Sequence, residues 1–130
     1  MPKTVLIADD DPDVRLVVGL PLEAQKIRVV EASDGKEVLE AVARDRPDLI
    51  IMDWTMPGLS GPDLLRALQQ DSPGTPVIVL SGQANEAEIA LGRSLGAYAY
   101  LIKPVPMKKL MEIVNTALGQ SAPGSAASAP

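Results

Sequence analysis

Residues 48–58 read Asp-Leu-Ile-Ile-Met-Asp-Trp-Thr-Met-Pro-Gly, an apolar run that stops at an acid and leads into a turn. The run 49–52 has the length of a strand, and its apolar character is continuous rather than alternating. Such continuity is typical of a strand that is buried on both faces of a parallel sheet. The stretch therefore predicts a central strand whose carboxyl end carries Asp53.

Four more apolar runs of strand length recur along the chain. They lie at 5–8, 27–30, 77–80 and 98–102. The run 27–30 alternates, because Arg28 separates Ile27 from Val29, and this favours a position at the edge of the sheet. Between the runs, apolar residues repeat at helical spacing. This alternation of strand and helix predicts an α/β fold with a parallel five-stranded sheet, right-handed crossovers and helices on both faces.

Two of the helical segments begin with a recognisable start signal. Asp34 is followed by Glu37, and Asn85 is followed by Glu88. Both pairs fit a capping box, in which the first side chain accepts from a backbone N–H and the second reaches back to the cap. We therefore expect helices to begin directly after Asp34 and Asn85.

The composition excludes several kinds of site. The chain has 130 residues, close to one domain, and contains no His and no Cys, which excludes His-based triads, thiol nucleophiles, disulfides and Cys/His zinc sites. Its 12 basic and 17 acidic residues give a net charge of −5, which argues against direct nucleic-acid binding by this chain. No apolar run reaches the roughly 20 residues that span a bilayer, and Met1 does not open a signal-peptide pattern. We therefore expect a cytoplasmic domain without membrane contact.

The end of the chain differs from the rest. Residues 119–130 carry no charge and no large apolar residue. Such a segment cannot bury enough surface to offset the entropy of ordering, so we expect it to be disordered. We predict a folded domain at 1–118 and a tail at 119–130, and the tail reads equally well as a native terminus or as a linker.

Polar residues follow the apolar runs at the points where the predicted strands end. The first run leads into the acids 9–11, the third into Asp53, the fourth into Ser81 and the fifth into Lys103. Ligands of an open parallel sheet bind beyond these carboxyl ends. Two carboxylates about 4 Å apart repel by about 4 kcal/mol at an effective dielectric near 20, and a hard cation such as Mg²⁺ removes that cost. Acids, a cation, a hydroxyl and a lysine are the groups that phosphoryl transfer needs.

Over residues 3–118 the chain resembles a response-regulator receiver domain, the phosphoacceptor of two-component signalling. Four segments carry the resemblance, at 5–11, 48–58, 79–82 and 96–104. The resemblance implies a doubly wound, flavodoxin-like sheet with strand order 2-1-3-4-5. It also implies a signalling switch rather than an enzyme, because such a domain assists only its own phosphorylation and the hydrolysis of its own acyl phosphate.

The resemblance implies a role for each acid of the site. Asp53 would take a phosphoryl group from the phosphohistidine of a histidine kinase or histidine phosphotransfer protein. Asp10, Asp53 and the backbone carbonyl of Thr55 would bind Mg²⁺, or Mn²⁺ in its place. Asp9 would belong to the same metal site and orient its ligands through water.

The resemblance also implies how the phosphoryl group is read out. Ser81 and Lys103 would bind its oxygens. Tyr100 stands at the family's aromatic switch position and would turn inward as Ser81 moves toward the phosphate. This would alter the face made by the fourth helix, the fifth strand and the fifth helix, which a downstream effector or output domain would read. Lys103-Pro104 matches the family's cis peptide, a form that is accessible before proline.

Plainer alternatives exist for these residues. The acids 9–11 could form a solvated turn, with Asp11 as the N-cap of the first helix. Tyr100 could lay its ring on the surface of an edge strand. Trp54 is expected to flank the mouth of the site without a catalytic role. The whole domain could also be a docking module, a pseudo-receiver that phosphorylation does not regulate.

Two further positions bear on whether two copies of the chain form a dimer. Tyr98 and Ala99 occupy places that hold an acidic pair in family members that dimerise for winged-helix DNA binding. Their absence of charge disfavours that dimer. We therefore expect a monomer or a weak dimer that depends on phosphorylation.

Two residues predict local strain without an evident functional role. Pro21 falls inside the first helical segment, on an apolar stripe with Val14, Val17 and Val18, where a proline costs about 3 kcal/mol and kinks the helix. Lys26 takes a place where the family often has a helix-ending glycine.

Overall fold

Five strands alternate with five helices in the computed structural model, which describes residues 2–82 and 85–119. The strands are β1 (Thr4–Ala8), β2 (Arg28–Ala32), β3 (Leu49–Asp53), β4 (Val77–Ser81) and β5 (Ala99–Ile102). The helices are α1 (Pro12–Ala24), α2 (Gly35–Asp45), α3 (Gly61–Asp71), α4 (Glu86–Ser94) and α5 (Met107–Ala117). Residues 120–130 of the predicted tail lie outside the described residues.

The strands form one parallel sheet in the order β2-β1-β3-β4-β5. This confirms the predicted α/β fold, its strand order and the edge position of the second run. The two central strands β1 and β3 are buried on both sides. β2, in contrast, exposes Arg28 and Glu31, in keeping with an edge strand.

The sheet separates two apolar cores. Alternate strand residues such as Leu6 and Ile50 face α2, α3 and α4, while their neighbours Ile7 and Ile51 face α1 and α5. The continuous apolar runs therefore have a direct cause, since the side chains 5–8 of β1 and 49–52 of β3 all lie in one apolar core or the other.

The helix starts confirm the predicted caps, but not both capping boxes. Asp34 and Asn85 accept hydrogen bonds from the N–H groups of Glu37 and Glu88, each at 2.8 Å. The Glu37 carboxylate reaches back to the N–H of Ser33 at 2.8 Å, one residue before the cap. The Glu88 carboxylate does not serve the cap of its helix, because it accepts a hydrogen bond from the indole of Trp54 instead.

The first helix buries only part of the stripe that its apolar residues suggest, because Val14 and Val18 pack against the core and Val17 does not. α1 packs on the sheet through Val18, Gly19 and Leu22, and Val17 is 56% exposed. Gly19 has Val29 and Ile7 within 3.7 Å of the position of a Cβ, so the small residue sets the line along which the helix approaches the sheet. Pro21 lies inside α1 as expected and is half-buried.

Lys26 follows α1 in the left-handed region, with φ at 64°. The expected strain is therefore present, because a side chain with a Cβ is disfavoured in this region. Within the described residues, no helix is both long enough and apolar enough to cross a membrane.

Candidate functional site

The register of the sheet brings the polar strand ends to one edge. Ala8 pairs with Met52, so the next residues, Asp9 and Asp53, end neighbouring strands at the same level. Ser81 pairs with Ile102 on the other side of the site, and Lys103 follows directly. The N–H of Lys103 also donates to the carbonyl of Ser81 at 2.8 Å, which continues the ladder to the site.

Three carboxylates converge at this edge. One oxygen each of Asp9, Asp10 and Asp53 lies within 4.8 Å of the other two. The side chains of Asp9 and Asp53 are only 4% and 11% exposed, whereas Asp10 is exposed. The cluster thus consists of two acids with mostly buried side chains, Asp9 and Asp53, and one exposed acid, Asp10.

Lys103 supplies the balancing charge. Its ammonium group is 3.4 Å from Asp9 Oδ2 and 3.5 Å from Asp53 Oδ1. The lysine lies between the two buried acids and contacts both. Both distances are long for ion pairs.

Burial raises the pKa of Asp53 above its ordinary value of 3.8. The N–H of Thr55, which donates to Asp53 Oδ1 at 3.2 Å, and the charge of Lys103 both oppose this shift in pKa. The neighbouring charge of Asp9 adds to it. The direction of the shift in pKa therefore reflects the loss of water around this carboxylate first, and the charge of Asp9 only second.

The remaining predicted site residues take distinct places. Ser81 is 1% exposed at the end of β4, beside the acids, and the peptide bond from Lys103 to Pro104 is cis. Thr55 is exposed and contributes its N–H to Asp53. Tyr100 does not join the acids, because it is buried on the α4 side of the sheet with 6% of its surface exposed.

The sequence suggested that Trp54 flanks the mouth of the site, but the structure places its side chain elsewhere. It is 5% exposed and packs into the core that faces α2, α3 and α4. Its ring meets Tyr100 edge to face, with centroids 5.5 Å apart, and its indole N–H donates to Glu88 at 2.9 Å. The reason is that the N–H of Trp54 still donates to the carbonyl of Leu80, so the backbone remains extended beyond β3. Side chains alternate along an extended chain, and that of Trp54 therefore lies on the opposite face of the sheet from that of Asp53.

Arg15 also contacts the site, although none of the sequence motifs predicted it. Its guanidinium donates to the main-chain carbonyl of Asp9 at 2.6 Å and to the Glu31 carboxylate at 2.8 Å. A signal for this contact was available, because a long side chain on a helix covers the turn that precedes it. Arg15 lies four residues after Asp11, which caps α1 by accepting from the N–H of Asp13 at 2.9 Å.

The donor atoms of the acid cluster suit a hard divalent cation. All three side chains offer carboxylate oxygen, the ligand type of Mg²⁺ and Mn²⁺. The closeness of the three carboxylates fits the same conclusion, since a cation would offset the repulsion between them.

Comparison with known proteins identifies the family. The family model of the response regulator receiver domain matches residues 5–115. The chain belongs to the response regulator receiver family. Receiver domains are signalling phosphoacceptors of two-component systems and bind Mg²⁺ at an acidic pocket. The match confirms the resemblance that the four sequence segments indicated.

Relatives of the receiver domain include proteins with further domains. Transcriptional regulatory protein GlrR of Escherichia coli K12 is 34% identical over 124 residues, which are 95% of this chain and 28% of GlrR. The chain thus spans less than a third of that relative. Among solved structures, the Francisella response regulator 1452 receiver domain has a TM-score of 0.84 at 34% identity and covers 90% of this chain and 97% of its own. A CheY-like receiver domain protein of Methanospirillum hungatei has a TM-score of 0.87 at 28% identity, covering 92% and 95%.

Proposed function

We propose that this receiver domain is a signalling switch that accepts a phosphoryl group on Asp53. The observation that carries the proposal is the position of Asp53 at the end of β3, in contact with Lys103 at 3.5 Å and in one cluster with Asp9 and Asp10. Within the part of the chain that the structure describes, no second group of three acids of this kind is found.

Asp53 would supply the nucleophile of the phosphoryl transfer. One carboxylate oxygen attacks the phosphorus of a phosphohistidine on a partner kinase or phosphotransfer protein. The P–N bond breaks as the new P–O bond forms, and the electron pair stays on the imidazole nitrogen, which then takes a proton from solvent. The donor imidazole must come from outside these 130 residues, because they contain no histidine.

Each neighbouring group has a part in this step. Asp9, Asp10 and Asp53 would hold Mg²⁺, with the carbonyl of Thr55 as a further ligand, and the ion supplies positive charge that offsets the charge on the phosphoryl oxygens. Lys103 would release its present acids and bind a phosphoryl oxygen. The N–H of Thr55 keeps Asp53 oriented.

Signalling follows from a shift between two conformers. Ser81, buried beside the site, would donate to a second phosphoryl oxygen. Its movement would change the space around Tyr100 and therefore the face made by α4, β5 and α5. Phosphorylation would then favour the conformer that an effector or output domain binds better.

The experiment is phosphorylation by acetyl phosphate and Mg²⁺, read by intact-protein mass. The wild type and Asp13→Asn, which alters an exposed acid in the first turn of α1, should each gain one phosphoryl group. Asp53→Asn should gain none. Equal labelling of Asp53→Asn would contradict the proposed acceptor. A wild type that stays unlabelled with acetyl phosphate and with a kinase would instead favour the docking-module alternative.

A further inference from the structure

The loop that carries the acids is held from outside the cluster by a charged side chain. Arg15, on the first full turn of α1, donates from its guanidinium to the carbonyl oxygen of Asp9 at 2.6 Å. Its side chain is 17% exposed, so this charge-assisted bond is shielded from solvent on most sides. Hydrogen bonds from charged donors are stronger than those between neutral groups.

The bonded carbonyl belongs to the peptide group that joins Asp9 to Asp10. Because that peptide is planar, holding its oxygen also fixes the direction in which the chain enters Asp10. The adjacent groups are held as well, since the N–H of Asp9 donates to the carbonyl of Ala32 at 3.0 Å and the N–H of Asp11 donates to Asp9 Oδ1 at 2.9 Å. Asp10 itself is exposed, so its backbone is the main constraint on where its carboxylate lies.

Arg15 is in turn anchored on the edge strand. Its Nε donates to Glu31 Oε1 at 2.8 Å, on β2. Two separate nitrogen atoms of one planar guanidinium thus contact Asp9 and Glu31 at once. A lysine at this position can keep the positive charge, but its single nitrogen on a flexible stem cannot reproduce the two hydrogen bonds in their fixed geometry.

We propose that Arg15, anchored by Glu31, is a positioning residue of the cation site, which holds the Asp9–Asp10 peptide so that the Asp10 carboxylate faces the metal. The inference rests on the proposed Mg²⁺ site and adds to it a residue that touches neither the ion nor the phosphoryl group. Outer residues of this kind commonly set metal affinity by orienting the ligands.

The sign of the effect separates positioning from simple electrostatics. Arg15 brings a positive charge close to a site for a dication, so electrostatics alone predicts that Arg15→Ala binds Mg²⁺ more tightly. Loss of positioning predicts the opposite. The experiment is calorimetric titration of the full chain with Mg²⁺ alone, for the wild type, Arg15→Ala, Arg15→Lys and Glu31→Ala. Urea unfolding in EDTA checks that each variant is folded.

The control is Arg44→Ala, which removes an equal charge from an exposed residue at the end of α2 that pairs with Asp45. We expect Arg15→Ala to raise the Mg²⁺ Kd about tenfold, Arg15→Lys and Glu31→Ala to raise it less, and Arg44→Ala to leave it unchanged within about twofold. An unchanged or lower Kd in Arg15→Ala would overturn the inference. If Arg15→Ala does not fold, wild-type affinity in both Arg15→Lys and Glu31→Ala would overturn it equally. A wild type that binds no Mg²⁺ would remove the proposed cation site, and the inference with it.

Discussion

The indole N–H of Trp54 donates a hydrogen bond to the Glu88 carboxylate at 2.9 Å, across 34 residues of sequence. Trp54 directly follows Asp53, and Glu88 lies in the first turn of α4. The bond therefore connects the candidate phosphoacceptor strand to the helix that covers Tyr100. Among the described contacts, it is the side-chain hydrogen bond that joins the residue after β3 to α4.

The first prediction concerns this bond. Glu88→Ala should lower the free energy of unfolding by about 1–3 kcal/mol, because the buried indole N–H is left without its acceptor. Glu88→Gln should lose less, since the amide oxygen can still accept. Urea unfolding measures both. The control is Glu86→Ala, an exposed acid of the same helical turn, and equal losses in Glu86→Ala and Glu88→Ala would contradict the prediction.

The second prediction concerns the glycine beneath Tyr100. A Cβ at Gly92 would lie 2.7 Å from Tyr100 Cδ2 and 3.7 Å from the Trp54 ring, and the contact between the two rings limits how the tyrosine can move. Gly92→Ala should therefore lower stability by about 1–2 kcal/mol, despite the higher helix propensity of alanine.

Thermal unfolding compared with Gly74→Ala measures this effect. Gly74 has no atom within 4 Å of its Cβ position, so the control should be close to neutral. A Gly92→Ala variant that is more stable than the wild type would contradict the prediction and show that Tyr100 and Trp54 can move to accommodate the new methyl group.

The third prediction concerns the end of α1. Lys26→Gly should raise the free energy of unfolding by about 0.5–1 kcal/mol, because glycine removes the left-handed strain at φ 64°. Lys26→Ala keeps the Cβ and should gain nothing. Denaturant midpoints distinguish the two variants, and an equal gain in both would attribute the effect to the lysine side chain rather than to the backbone.

The fourth prediction concerns pH. Burial raises the pKa of Asp53 in the fold above 3.8, so the folded protein resists ionisation at this position more than the unfolded chain does. Stability is therefore lost as pH rises from below 3.8 through the folded pKa, and the loss persists at neutral pH. Asp53→Asn should be more stable than the wild type at neutral pH in EDTA, and the difference should vanish in acid.

Unfolding curves at several pH values measure this difference. Asp71→Asn, which alters an exposed acid at the end of α3, is the control and should follow the wild type. Added Mg²⁺ should stabilise the wild type and not Asp53→Asn. A variant that is less stable than the wild type at neutral pH would contradict the sign.

The apolar runs were enough to predict the fold, because strands buried on both faces leave a continuous pattern that few other elements share. The acids and the lysine were also predictable, since each directly follows a run and parallel strands place these ends together.

Side-chain direction was less predictable. Trp54 stands one residue beyond Asp53, and nothing in the local pattern tells whether it continues the pleat or turns to solvent. Glu88 has the spacing of a capping residue, yet a buried indole 34 residues away outweighs the cap. Val17 belongs to an apolar stripe but is 56% exposed, whereas Gly19 lies close to the sheet.

The division of the molecule into two cores has a consequence for how it can diverge. Trp54 and Tyr100 share one core, whereas α1 and α5 pack into the other, on the far side of the sheet. Substitutions that share no contacts add independently. Substitutions confined to the core under α1 and α5 should therefore change the stability of the domain without changing how Trp54 packs against Tyr100.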